Sequence, residues 1–129
     1  MTFTQAELNY LEGQRLGRLA TVAPDGQPQN NPVAFFVDAE SGTITIGGYA
    51  MGTTKKFKNV QQGSAAALVV DDLASVNPWT VRGIEIRGTA VALTDHEPPV
   101  PSMSREIIKI TPTRIISWGL DGARSSRKA

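Results

Sequence analysis

The chain has 129 residues, 40% hydrophobic and 19% charged, which is the size and apolar content of one globular domain with one core. Its 13 basic and 12 acidic residues leave a formal charge of +1, so nothing general attracts it to nucleic acid or to an anionic membrane. The absence of cysteine excludes disulfides, thiolate metal sites and cysteine nucleophiles, and with no basic-then-apolar leader and no apolar run approaching the roughly 20 residues of a membrane span, a soluble cytoplasmic protein is expected.

Thr4-Gln5-Ala6-Glu7 has the spacing of a capping box, so a short helix should start here, with Ala6, Leu8, Tyr10 and Leu11 as its apolar stripe and Gly13 as its end. Leu16 to Ala23 reads as a strand, and Pro24-Asp25-Gly26 as the turn of a hairpin. The returning strand, Gln27 to Asp38, contains Pro28 and Pro32, which lack ladder donors and put its first half at a sheet edge or a bulge. Ala39 to Gly42 is a second turn, and Thr43 to Ile46 alternates as a half-buried strand. After Gly47-Gly48, a capped helix is expected over Thr53 to Val60, with Phe57 and Val60 on one face and Gly63 beyond its end.

Ala65 to Val70 is a nearly continuous apolar run that suits a strand buried on both sides, ending at Asp71-Asp72. Trp79 to Leu93 is the longest strand candidate, with Gly83 and Gly88 marking bulges or bends of the kind that curl a sheet. Asp95 to Ser102 is a proline-rich irregular connection. Ser104 to Ile110 is a last strand, interrupted by Thr111-Pro112-Thr113 before a closing segment, Arg114 to Leu120. Residues 121–129 read as a flexible basic tail. The expectation is one domain over 1–129, mainly β with short helices, arranged as a small antiparallel barrel.

The sequence lacks a Gly-x-x-x-x-Gly-Lys phosphate loop, a Gly-x-Gly-x-x-Gly turn and a His-Glu-x-x-His pair. The lone histidine, His96, reads as a surface residue, and no metal site is expected. Asp71 and Asp72, adjacent in a strand, point to opposite faces and cannot easily share a site. Trp79 and Trp118 read as core or interface aromatics, or one of them as the wall of a ring-binding pocket. The strongest local signal is Thr53-Thr54-Lys55-Lys56-Phe57-Lys58. Cations in a helix's first turn oppose its dipole, which makes sense if an anion such as phosphate sits among them, while a solvated basic face is the alternative. Over Ile46 to Gly48, the missing glycine side chains would let a ring approach the backbone.

Leu16-Gly17-Arg18-Leu19-Ala20-Thr21-Val22, Pro24-Asp25-Gly26, Pro28-Gln29 and Lys56-Phe57-Lys58-Asn59-Val60 resemble the pyridoxamine-phosphate-oxidase-like split-barrel superfamily. Val69-Val70-Asp71-Asp72-Leu73, Pro78-Trp79, Arg82 to Gly88 and Arg114 to Leu120 resemble its F420-dependent branch, in the subgroup that includes the reductase closing oxytetracycline biosynthesis. The resemblance implies a split β-barrel homodimer with cofactor at the subunit interface. It also implies that Lys56 binds the cofactor phosphate, with Thr54 and Lys55 at phosphate-contacting positions and Thr53 and Lys58 beside them. Asn31, Pro32 and Val33, and on the next strand Ile46, Gly47 and Gly48, match the strands that run along the ring. Trp118 lies where the partner's C-terminal segment approaches the cofactor. The arginine and histidine with which true pyridoxamine phosphate oxidases hold their substrate are not visible after Trp118, so vitamin B6 oxidation is not expected.

The activity implied is hydride transfer between deazaflavin coenzyme F420 and an unsaturated organic small molecule such as an enone. No side chain is assigned as proton donor, although Tyr49 is conceivable. Use of FMN is the first alternative, and non-catalytic binding of a flavin, a deazaflavin or a tetrapyrrole is the second.

Overall fold

A computed structural model describes residues 2–129; Met1, the first residue of the domain expected over 1–129, lies outside the described residues. The elements in chain order are α1 (Gln5–Glu12), β1 (Leu16–Val22), β2 (Pro28–Asp38), β3 (Thr43–Gly47), a 3-10 turn (Met51–Thr53), α2 (Lys55–Gln61), β4 (Ala66–Ser75), β5 (Thr80–Leu93), β6 (Ile107–Trp118) and β7 (Ser125–Lys128). All strand pairs are antiparallel, in the order β3-β2-β1-β4-β5-β6-β7, and a further pairing of β3 with β6 closes β1 to β6 into a six-stranded barrel. Neither helix is long and apolar enough to cross a membrane.

Side chains alternate along the strands. Leu19, Val33, Phe35, Ile44, Ile46, Leu68, Val70, Ile84, Ile86, Ile108, Ile110 and Ile115 fill the barrel and join Phe57, Val60 and Met51 in one core. The capping box forms as expected: the Glu7 N–H donates to Thr4 Oγ1 at 3.1 Å, and the Thr4 N–H donates to Glu7 Oε1 at 2.9 Å. Gly26 carries the β1–β2 turn at φ 91°, a left-handed conformation that glycine adopts without strain.

The edge placement of the first half of β2 also holds. β1 pairs with β2 from Pro28 to Ala34, whereas β3 pairs with it only from Ala34 to Asp38. From Pro28 to Val33 the β3 side of β2 therefore meets no strand, and Pro28 and Pro32 sit on that stretch.

Five expectations change. Ala66 to Val70 alternates between buried and half-buried, so β4 is buried on one face only. The strand also continues through Asp71-Asp72 to Ser75, because its outer face is solvated and tolerates the aspartates. Pro112 does not break the last strand: β6 runs on through it opposite Gly88, where a register shift between Arg87 and Gly88 accommodates the missing ladder donor. Gly83 lies in unbroken register instead of at a bulge, and a Cβ there would fall 2.7 Å from the Trp118 ring. The basic tail forms β7, paired with Arg114–Ser117 beyond the point where β6 parts from β3. Arg127 ties it down by donating to Glu7 Oε1 at 2.6 Å, Glu7 Oε2 at 2.8 Å and the Thr2 carbonyl at 2.8 Å.

Candidate phosphate and ring site

The chain that leaves β3 reaches α2 within eight residues, and hydrogen bonds close together in sequence set where the helix begins. Thr54 is its N-cap: Thr54 Oγ1 accepts from the Phe57 N–H at 3.3 Å and donates to the Met51 carbonyl at 2.7 Å. Thr53 Oγ1 donates to the Ala50 carbonyl at 2.9 Å. Both threonine hydroxyls thus serve the local backbone first.

The three lysines of the expected cluster do not converge. Lys55 and Lys58, three apart, share the exposed face of α2. Lys56 lies on the packed face with Asn59 and Val60 and is only 8% exposed. Among the described residues its ammonium has neither a hydrogen-bond nor an ion-pair partner, and burial pulls its pKa below the usual lysine range. The stem is packed but the ammonium still reaches solvent, a partly desolvated cation that an anion can meet.

α2 is joined to the neighbouring strands by a polar cluster that the sequence did not announce. Asn59, fully buried, donates from Nδ2 to Thr21 Oγ1 on β1 at 3.0 Å, and Thr21 lies opposite Gln29 on β2, with Gln29 Oε1 at 3.4 Å. Asn31, the next residue on the same face of β2, has a buried Oδ1 with no protein donor, as does Asn59. The basic helix start, the free half-edge of β2 and two unsatisfied carboxamide oxygens therefore belong to one end of the barrel.

The remaining expected contacts fall on two faces. Val33 and Ile46 point into the core and can offer a ligand only their backbone. Pro32 and Trp118 point outward: Pro32 borders a depression of about 360 Å³ with Arg18 and Asp71, and Trp118 one of about 260 Å³ floored by Ala20 and Ala67. The space beside Gly47 is filled by the protein, since a Cβ there would lie 2.8 Å from Met103 Sδ and 3.1 Å from Pro99 Cγ, whereas Gly48 has only Met51 near it. Close ring approach is thus available at Gly48 and not at Gly47. A larger groove of about 650 Å³ between α1 and the second half of β2 is lined by none of the expected residues. Tyr49 is exposed and has no hydrogen-bond partner among the described residues, Trp79 projects into solvent instead of lying in the core, and His96 is half-buried, its Nδ1 2.7 Å from the Glu97 carbonyl.

At the opposite end of the barrel, Asp72 gathers α1 and the β4–β5 hairpin. It accepts from Arg82 Nε at 2.7 Å and Nη2 at 2.9 Å, and from the Tyr10 hydroxyl at 2.8 Å, while the Arg82 guanidinium stacks 5.1 Å above the Tyr10 ring. The Arg82 contact brings the Asp72 pKa down to about 2; burial, and then the Asp72 hydrogen bond, push Tyr10 far above its ordinary value. These groups hold α1 in place and face away from the basic helix.

The family model described as pyridoxamine 5'-phosphate oxidase matches residues 3–119. The chain is 46% identical over 127 residues to the 5a,11a-dehydrotetracycline/5a,11a-dehydrooxytetracycline reductase of Streptomyces rimosus subsp. rimosus, covering 98% of this chain and 89% of that protein. Among solved structures, a conserved hypothetical protein of Mycobacterium tuberculosis superposes with a TM-score of 0.71 at 21% identity, over 92% of this chain and 86% of that one. An FAD binding protein of Mycobacterium smegmatis gives 0.66 at 18% identity, over 90% and 94%. At these identities the two structures share the fold.

Proposed function

We propose that this chain, which belongs to the pyridoxamine 5'-phosphate oxidase family, is an F420-dependent reductase that delivers hydride to an unsaturated organic substrate such as an enone. The observation that carries cofactor binding is Lys56, whose packed stem presents an ammonium with no counter-charge among the described residues at the same end of the barrel as the free half-edge of β2. The chemistry follows the 46%-identical relative, whose name describes the reduction of a dehydro compound.

Lys56 holds the cofactor phosphate by a charge-assisted contact, with Lys55 and Lys58 adding long-range attraction from the exposed face. Asn31, on the free half-edge of β2, runs along the ring, and Gly48 lets the ring approach the backbone. When bound, the reduced deazaflavin supplies hydride to an electron-poor carbon. Backbone N–H groups along the unpaired part of β2 are the donors this chain offers to a developing enolate oxygen. FMN carries a comparable phosphate, so the same lysine would serve it.

The molecule acts as a cytoplasmic homodimer. Support comes from the outer face of the sheet, where Leu16, Val22, Leu73 and Val81 stand exposed around Ala20, Ala67 and Val69, next to the depressions that Pro32 and Trp118 border.

Fluorescence titration of the apo-protein with F420 and, separately, FMN at two salt concentrations tests the cofactor. Preference for F420, weakened by salt, is expected; preference for FMN makes the protein a flavoenzyme, and binding of neither overturns the proposal. Lys56→Ala should weaken binding by about 1.5–3 kcal/mol. Turnover of an enone by the loaded, reduced protein then separates an enzyme from a cofactor carrier.

A further inference from the structure

The segment from Gly47 to Gly52 contains three glycines and the exposed Tyr49 and Ala50, so little in its own sequence fixes its path. The connection between β5 and β6 fixes it instead. The Ser104 N–H donates to the Gly48 carbonyl at 2.9 Å, and the Ser104 hydroxyl also lies 3.1 Å from that carbonyl. The Met51 N–H donates to Ser104 Oγ at 3.2 Å. On either side of this contact, Met103 and Pro99 fill the space beside Gly47, and the Glu106 side chain packs against Gly52, 2.9 Å from where a Cβ would stand.

A continuous series of hydrogen bonds leads from Ser104 to the helix start. Ser104 Oγ holds the Met51 N–H, the Met51 carbonyl accepts from Thr54 Oγ1 and from the Thr54 N–H at 3.0 Å, and Thr54 Oγ1 accepts from the Phe57 N–H. Lys56 lies between Thr54 and Phe57. The connection is itself braced by the His96 N–H on the Arg105 carbonyl at 3.0 Å and by the Arg105–Asp95 ion pair.

We propose that Ser104 is a positioning residue for anion binding: through Met51 and Thr54 it sets where Lys56 stands, so that a bound phosphate meets a preorganised cation. The proposal rests on the phosphate site argued above. Preorganisation of this kind acts on affinity, since a loosened loop must be ordered again each time a ligand binds.

The test uses the full chain as Ser104→Ala, Ser104→Thr and Lys56→Ala, titrated with F420 and with FMN, with amide hydrogen exchange followed over residues 48–57. Ser104→Ala should weaken binding of the preferred cofactor about three- to tenfold and speed exchange at Met51 and Thr54, with the melting temperature lowered by only a few degrees. Ser104→Thr keeps the hydroxyl and should restore both. If Lys56→Ala weakens binding but Ser104→Ala does not, Ser104 does not position the site. If neither variant changes the affinity, the phosphate site itself is wrong and the positioning role falls with it.

Discussion

At Lys56 the requirements of folding and of binding oppose each other. Its pKa is lowered by burial, so over the interval between its folded and unfolded pKa the unfolded chain binds more protons, and the stability of the apo-protein rises with pH across that interval. Below it, the partly desolvated charge is a standing cost. Lys56→Met keeps the length of the side chain without its charge. It should raise the stability of the apo-protein by on the order of 1 kcal/mol, about 3–5 °C in melting temperature. The same change should remove most of the affinity for a phosphate-bearing cofactor. Thermal melts of both proteins with and without cofactor check this, and a variant that melts lower than the wild type without ligand would show that Lys56 has a stabilising partner. The contrast with Lys55 and Lys58 was only partly legible. The sequence places three lysines at a helix start, and helical spacing separates 55 and 58 from 56. Which face is packed depends on where β1 and the barrel end lie, and no local pattern contains that.

α1 and β7 stabilise one another through one ion pair, in which the carboxylate is buried and the guanidinium partly exposed. Burial works to raise the Glu7 carboxyl, but the Arg127 guanidinium and the Thr4 N–H outweigh it and hold it below the usual range. The Glu7 side chain is only 2% exposed, so removing Arg127 leaves a buried carboxylate with one backbone donor. Arg127→Ala should cost about 2–4 kcal/mol and free both β7 and the first turn of α1, as circular dichroism melts and hydrogen exchange at residues 4–8 and 114–117 would show. Because the folded Glu7 pKa is depressed, the pair's contribution is present above the unfolded value and fades as pH falls through the folded one, so the gap between the two proteins should narrow in acid. The capping box was readable because both of its partners lie within four residues. β7 was not: Ser-Ser-Arg-Lys is polar throughout, and what makes it a strand is the edge of β6 left open after β3 diverges, together with a carboxylate 120 residues away. Pro112 is illegible for a similar reason, since the bulge at Thr113 that lets the strand run through it exists only in the pairing with Arg87 and Gly88 of β5.

The barrel closes through β3 and β6, and its outer face across β1, β4 and β5 carries a group of exposed apolar side chains. Leu16, Val22, Leu73 and Val81 are 40% to 62% exposed there, around Ala20, Ala67 and Val69, and the charges between them are paired, Arg18 with Asp71 and Arg87 with Glu85. Paired charges within an apolar field are compatible with burial against a second copy, whereas scattered unpaired ones would resist it. A two-fold dimer would place this face against itself and would enclose the depressions beside Pro32 and Trp118. Sedimentation velocity of the wild type should give twice the 13.8 kDa protomer mass across micromolar concentrations. Leu73→Asp, which puts a charge on the exposed strand position opposite Val81, should shift the protein to monomer with little loss of barrel stability. Its cofactor affinity should fall with it if the partner helps to enclose the ring. A monomeric wild type would refute the assembly, whereas a monomeric Leu73→Asp that binds cofactor as tightly as the dimer would confine the binding site to one barrel, between Lys56, Asn31 and Gly48.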